Sequence, residues 1–248
     1  MNLKSLNTSA KLAASFFAAS VIIGTVSSLI MLGLLLSEKE SGFVLPTLEG
    51  IKIKYAYPII ISSMKSSMYE YVADDGDIEI VQEWIDGGAT KEFFKEEVQP
   101  ILKADCTKCH SKTSTMTKAI PGMPLGKYEQ VLPLTKAGYT WAKMSRQAHL
   151  HLFGIGVFLA IISGLLAYSS YYPWIRNLLI ATSTIFLWID VLGWWLTKYL
   201  VEFAYVIYTA GTLMSASILA MCVLVLLDIW IQVPIISPPP GRGRFSRR

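Results

Sequence analysis

The chain has 248 residues, 53% of them apolar and only 16% charged, with a mean hydropathy of +0.46 and a net charge of +4. That balance excludes an ordinary water-soluble globule and points to a membrane protein, with no nucleic-acid partner expected. The charge-free runs say where the membrane lies. There are 26 uncharged residues between Lys11 and Glu38, 29 between Arg146 and Arg176, and 25 between Glu202 and Asp228. A fourth stretch, Asn177 to Thr197, is broken only by Asp190. Each reaches the about 20 helical residues that cross a hydrocarbon slab of roughly 30 Å.

The first run is longer than the apolar core of a cleaved signal and has no small-x-small site before Glu38, so residues 1–37 read as an uncleaved signal anchor. Residues 38–148 form a soluble insert, 149–233 a three-helix membrane domain, and 234–248 a basic Pro/Gly/Arg tail that is expected to contact anionic lipid heads. The expected fold is therefore an all-α membrane protein of four transmembrane helices, with a small helical domain inserted between the first and the second. Lys4 and Lys11, Arg176, and the four tail arginines from Arg242 to Arg248 fall on one side of such a four-helix arrangement. Basic residues are retained in the cytoplasm, so both termini are expected there and the insert in the periplasm of a bacterial inner membrane. Lys198, in the outer loop, runs against that rule.

Within the insert, residues 42 to 62 alternate enough to suggest a strand pair or an extended strap. Ile78, Ile80, Val81, Trp84 and Ile85 predict an amphipathic helix before the turn at Gly87 and Gly88. Phe93, Phe94, Val98, Ile101 and Leu102 predict a second helix, leading into the motif CTKCH at Cys106–His110. Two cysteines two residues apart, followed at once by histidine, suit covalent attachment of one haem c: each thiol joins a vinyl group and the imidazole binds iron. A thioredoxin-like Cys-x-x-Cys needs a strand before it and a helix after it, and a zinc site needs ligands from a second cluster. Neither pattern surrounds these residues. Cys222, deep in the last span, reads as an inert small hydrophobe.

The run FFKEEVQPILKADCTKCH resembles the opening helix and attachment site of bacterial c-type cytochromes, whose motif reads V-x-P-I-L followed by C-x-x-C-H. GMPLGKYEQVL is similar to the G-x-x-L-x-x-Y-x-x-V element that follows the site in many of them. The resemblance covers about residues 78 to 135 and implies a small helical haem domain, here periplasmic, that transfers electrons. It names no pathway.

His110 is one axial ligand on this reading. Candidates for the second are Met116, Met123 and Met144, and then His149 and His151 at the mouth of the second span. Successive helical positions advance by about 100°, so His149 and His151 point apart and cannot share a job. Either can serve as a haem ligand, a quinone contact or a polar rim residue. Asp190, within the third span, is a candidate partner for them or a proton acceptor from a quinol. Asp228, near the end of its span, is expected to reach water. Trp194, Trp195, Tyr199, Tyr171, Tyr172 and Trp174 are expected as interfacial anchors. The last two spans hold no histidine, which excludes a cytochrome-b-like bundle unless any haem b is shared between subunits.

Charge is polarised along the insert: ten acids and two lysines from Glu70 to Glu97, net −8, against eight bases and two acids from Lys103 to Arg146, net +6. This is a solvated surface or a docking face for a periplasmic redox protein. The expected function is electron transfer between a membrane donor, the quinol pool or a partner respiratory complex, and a periplasmic acceptor. It would be an electron carrier rather than a stand-alone enzyme. The alternatives are a haem-bearing relay subunit inside a larger complex, or a haem-based redox or gas sensor.

Overall fold

The structure, a computed structural model, describes residues 3–36 and 45–231. The tail at 234–248 and the first residues of the expected soluble insert, through residue 44, lie outside the described residues. In chain order the helices are α1 Thr8–Leu36, α2 Leu48–Tyr55, α3 Ile59–Met64, α4 Asp75–Asp86, α5 Lys91–Phe93, α6 Gln99–Asp105, α7 Tyr128–Val131, α8 Trp141–Ala167, α9 Pro173–Leu196 and α10 Phe203–Trp230. No strand occurs among the described residues. Four helices, α1, α8, α9 and α10, are long and apolar enough to cross a membrane.

The chain divides into two compact units. One takes the described residues within 1–29, 144–193 and 205–248, and the other those within 30–143 and 194–204. In the second unit, α4 starts where the Asp74 side chain accepts the Gly76 N–H at 2.7 Å, with Asp75 and Asp77 in the first turn where the helix dipole favours acids. It ends at Gly87, and Gly88 takes φ +88°, a conformation that glycine adopts without penalty. Its apolar face, Ile78, Val81 and Trp84, joins Phe94, Val98, Leu102 and Val131 in one core. Trp84, Phe94 and Tyr128 form the aromatic heart of that core, with ring centroids 5.4 to 6.4 Å apart, and the Trp84 indole N–H donates to the Thr90 carbonyl. The second predicted helix is real, running from α5 into α6 through one π-helical turn, Phe94–Val98.

Residues 45–64 correct the expectation of a strand pair. Thr47 caps α2 by accepting the Gly50 N–H at 3.0 Å, Glu49 lies in the first turn, and Lys52 and Lys54 lie in the last, all in keeping with the helix dipole. Ile51, Ile53 and Tyr55 alternate in sequence yet are all buried, because short helices can be covered on more than one side. Among the described residues, strand pairing survives only as an isolated antiparallel bridge between Pro58 and Ala137. Beside it, Gly138 has φ +61°, and a Cβ there would collide with the Tyr55 carbonyl.

In the membrane unit the buried residues include Ser183, Asp190, Ser217, Cys222 and Asp228, whereas Leu150, Phe153, Leu178 and Trp188 face outward. Lipid tails are as apolar as leucine, so small and polar side chains gain most from the protein interior. Gly193 allows close approach: a Cβ there would stand 2.8 Å from Ile207 Cγ1. Asp228 does not reach water. It is 1% exposed and accepts hydrogen bonds from the Ser170 N–H and hydroxyl, with Lys4 Nζ at 4.0 Å. The chain reversal between α8 and α9 supplies donors that this carboxylate needs. Two of the expected interfacial anchors are also buried. Tyr171 donates to the Leu224 carbonyl at 2.9 Å, and Trp194 stacks on Tyr55 at 5.6 Å in the second unit. Trp174 and Tyr199 are exposed.

Candidate functional site

At the end of α6 the chain curls so that the Cys109 and His110 N–H groups both donate to the Cys106 carbonyl, at 3.1 and 2.9 Å. Cys106, Cys109 and His110 thus share one side of a helical turn, the i, i+3, i+4 relation that brings side chains together. All three line a cavity of about 330 Å³. Its walls are largely aliphatic, with Ile59, Ile60, Leu102, Ile120, Leu125 and Leu134 among them, and Asp105, Lys118, Tyr71 and Ser63 add the polar groups.

The segment after the motif folds back to complete the wall. The Ile120 N–H donates to the Cys109 carbonyl at 2.9 Å, the Leu125 N–H to the His110 carbonyl at 3.1 Å, and the Gln99 amide to the Gly126 carbonyl at 2.8 Å. His110 is 9% exposed, and its Nδ1 lies 3.0 Å from the Met123 carbonyl. A carbonyl only accepts, so Nδ1 carries a proton, which leaves Nε2 as the nitrogen whose lone pair can bind a metal. That tautomer can bind a metal through Nε2, oriented by the backbone acceptor behind it.

The segment 59–72 supplies the rest of the wall and is tied to the motif side. Asp105 accepts the Ala73 N–H at 3.1 Å, and Lys118 donates to the Tyr71 hydroxyl at 2.7 Å with Glu70 at 3.8 Å. The acidic and basic stretches of the sequence are therefore partly paired, as Lys91 with Glu129 at 2.7 Å also illustrates. Cys106 caps the C-terminal end of α6, and burial first, then the Asp105 and Cys109 charges, push its thiol up to about 11. Redox-active thiols behave oppositely, being lowered at helix N-termini or beside cations. Among the described residues, no cluster of three or more His, Cys, Asp or Glu could hold a metal ion by itself.

The other sequence candidates are spread over both units. Met123 lines the cavity, and so do Met64 and Met68, which sequence reasoning passed over because they precede the motif. Met116 Sδ lies 3.9 Å from Cys109 Sγ and is 53% exposed, while Met144 on α8 is buried. On α8, His149 is exposed against the Phe153 ring, and half-buried His151 donates through Nδ1 to the Gln147 carbonyl at 2.9 Å. The two histidines meet different surroundings, as their spacing requires. Asp190 on α9 is 8% exposed, and a methyl group at Gly211 on α10 would stand 3.6 Å from its Oδ1.

A family model, Aq_1264_TM, described as a transmembrane helical domain, matches residues 135–234. The match takes in α8, α9 and α10, so the C-terminal part of the chain is similar to a family of membrane-embedded helices. No curated protein and no solved structure matches the chain. The protein is a transmembrane helical protein whose membrane-spanning helices contact lipid.

Proposed function

We propose that this is a membrane-anchored monohaem c-type cytochrome, passing electrons between a membrane donor, the quinol pool or a partner complex, and a periplasmic acceptor. The observation that carries the reading is the convergence of Cys106, Cys109 and His110 on one apolar cavity, with His110 held in the Nε2-binding tautomer by the Met123 carbonyl. Aliphatic walls suit the porphyrin face, two thiols two residues apart suit its vinyl groups, and Nε2 suits iron. The raised Cys106 thiol and its place at a helix C-terminus weigh against a disulfide oxidoreductase. The lack of a further ligand cluster among the described residues weighs against structural zinc.

When bound, haem c supplies a one-electron iron couple. The chain's own part is to exclude water from it with Ile60, Leu102, Leu125 and Leu134 and to fix the imidazole through Met123. Covalent attachment takes place outside the cytoplasm, in keeping with a periplasmic insert and cytoplasmic basic ends. In the membrane unit, Asp190 is the group suited to accept a quinol proton, with His149 or His151 as the quinone contact.

A pyridine haemochrome spectrum of the purified full-length protein tests the reading. A c-type band that is covalent in wild type and lost on replacing Cys106 and Cys109 together with serine is expected. Its absence in wild type rejects the proposal. Reporter fusions at residue 40 and at the C-terminus are expected in opposite compartments, and a shared compartment rejects the orientation.

A further inference from the structure

Resting on the cytochrome reading, the structure also bears on the second axial position of the iron. Chain order draws attention to methionines after the motif, but Met123 is committed elsewhere. Its carbonyl oxygen lies 3.0 Å from His110 Nδ1, behind the imidazole, whereas iron would bind Nε2 on the far side of the ring. With metal–nitrogen and metal–sulfur bonds of about 2.0 and 2.3 Å, a sulfur trans to His110 would stand about 9 Å from that oxygen. Within one extended methionine residue, carbonyl oxygen and sulfur are at most about 6 Å apart, given standard bond lengths. Met123 cannot both hold His110 from behind and face it across the iron.

Two other methionines line the cavity, Met64 and Met68, and both precede the haem motif. They belong to the segment 59–72, which the Ala73–Asp105 and Tyr71–Lys118 hydrogen bonds tie to the motif side. Met64 is 3% exposed and forms part of the buried core with Ile60, Ile61 and Val81. Met68 is half-buried, sits in the turn after α3 with its N–H on the Ser63 carbonyl at 2.9 Å, and lines the cavity. A thioether is neutral and polarisable, a soft ligand suited to iron in an apolar wall, and it raises the potential relative to a second histidine.

We propose that Met68 supplies the second axial ligand, so that along this chain the sulfur ligand comes before Cys-x-x-Cys-His rather than after it. The test uses full-length protein matured with covalent haem and purified in detergent, read by optical and electron paramagnetic resonance spectra and by redox titration. Wild type is expected to be low-spin, with the weak red charge-transfer band of a ferric methionine ligand. Met68→Ala is expected to lose that band, become high-spin, bind CO when reduced and fall in potential, while Met64→Ala and Met123→Ala keep the band. Met68→His, which keeps a ligand at the position, is expected to stay low-spin without the sulfur band and with a lowered potential. That outcome separates ligation from a packing role should the alanine variant fold poorly. A wild type without the sulfur band, a Met68→Ala protein that retains it, or its loss in Met64→Ala alone overturns the assignment, and the cytochrome reading survives all three. A wild type without covalent haem overturns both.

Discussion

The cavity-bearing unit and the membrane unit both bury aliphatic side chains, Leu102 in one and Ile162 in the other, but they differ in what else they hide and in what they leave outside. In the former, Trp84, Phe94, Val98 and Leu102 are hidden while acids and lysines stay outside. In the latter, Phe153, Leu178 and Trp188 are outside, while Ser183, Ser217, Asp190 and Asp228 are hidden. Water drives apolar surface inward in the first case. Lipid offers leucine nothing to escape, so hydrogen bonds and close helix contact decide the second. Apolar periodicity therefore finds the first interior, and in the second the interruptions of apolarity at Ser183, Asp190, Ser217 and Asp228 add the signal.

Truncation of an aromatic in the first unit should have the largest effect. Trp84→Ala removes two aromatic contacts and the bond to the Thr90 carbonyl, and is expected to cost about 3 to 5 kcal/mol in denaturant unfolding of the purified protein. A cost below about 1 kcal/mol would mean that this core is not the organising one. In the membrane unit the sensitive positions should be polar and small. Asp228→Ala strands the Ser170 donors and is expected to cost about 1 to 3 kcal/mol, while truncation of lipid-facing Leu178 costs much less, both measured by unfolding in detergent. Equal losses would break the contrast. Gly193→Ala must displace Ile207 and is expected to cost a similar or smaller amount, about 1 to 3 kcal/mol.

A smaller effect sharpens the picture of the cavity wall. The Cys106 thiol rises from 9.0 to about 11 on burial, so the folded state favours the neutral form. This contribution is fully present below 9.0 and is lost as pH climbs through about 11, a loss that Cys106→Ser should remove. Cys106 should also alkylate slowly near neutral pH and faster as pH rises. Smallest of all should be Lys91→Ala. Its pair with Glu129 is exposed and screened, and the unfolding midpoint should stay within error of wild type.

Much of this molecule was legible in the residues themselves. Charge-free runs located the four long apolar helices, α9 and α10 to within a few residues and α8 less closely, its run at 147–175 lying six to eight residues beyond Trp141–Ala167, because a charge-free run marks what the hydrocarbon tolerates and not where a helix is capped. The apolar face of 78–85 and the helix leading to Cys106 followed from periodicity, and the Cys-x-x-Cys-His motif from spacing that lies within five consecutive residues. These are local properties. The alternation in 51–55 misled because period two matches a strand, and only the Thr47 cap and burial on several sides made it a helix. Nothing local could show that Met64 and Met68 share a cavity with His110, or that Met123 spends its carbonyl on the imidazole. Nor could it show that Asp228 is met by the turn at Ser170, which lies 58 residues away along the chain. Which residues face one another across a cavity or a bundle depends on how distant segments pack, and only the tertiary structure decided that.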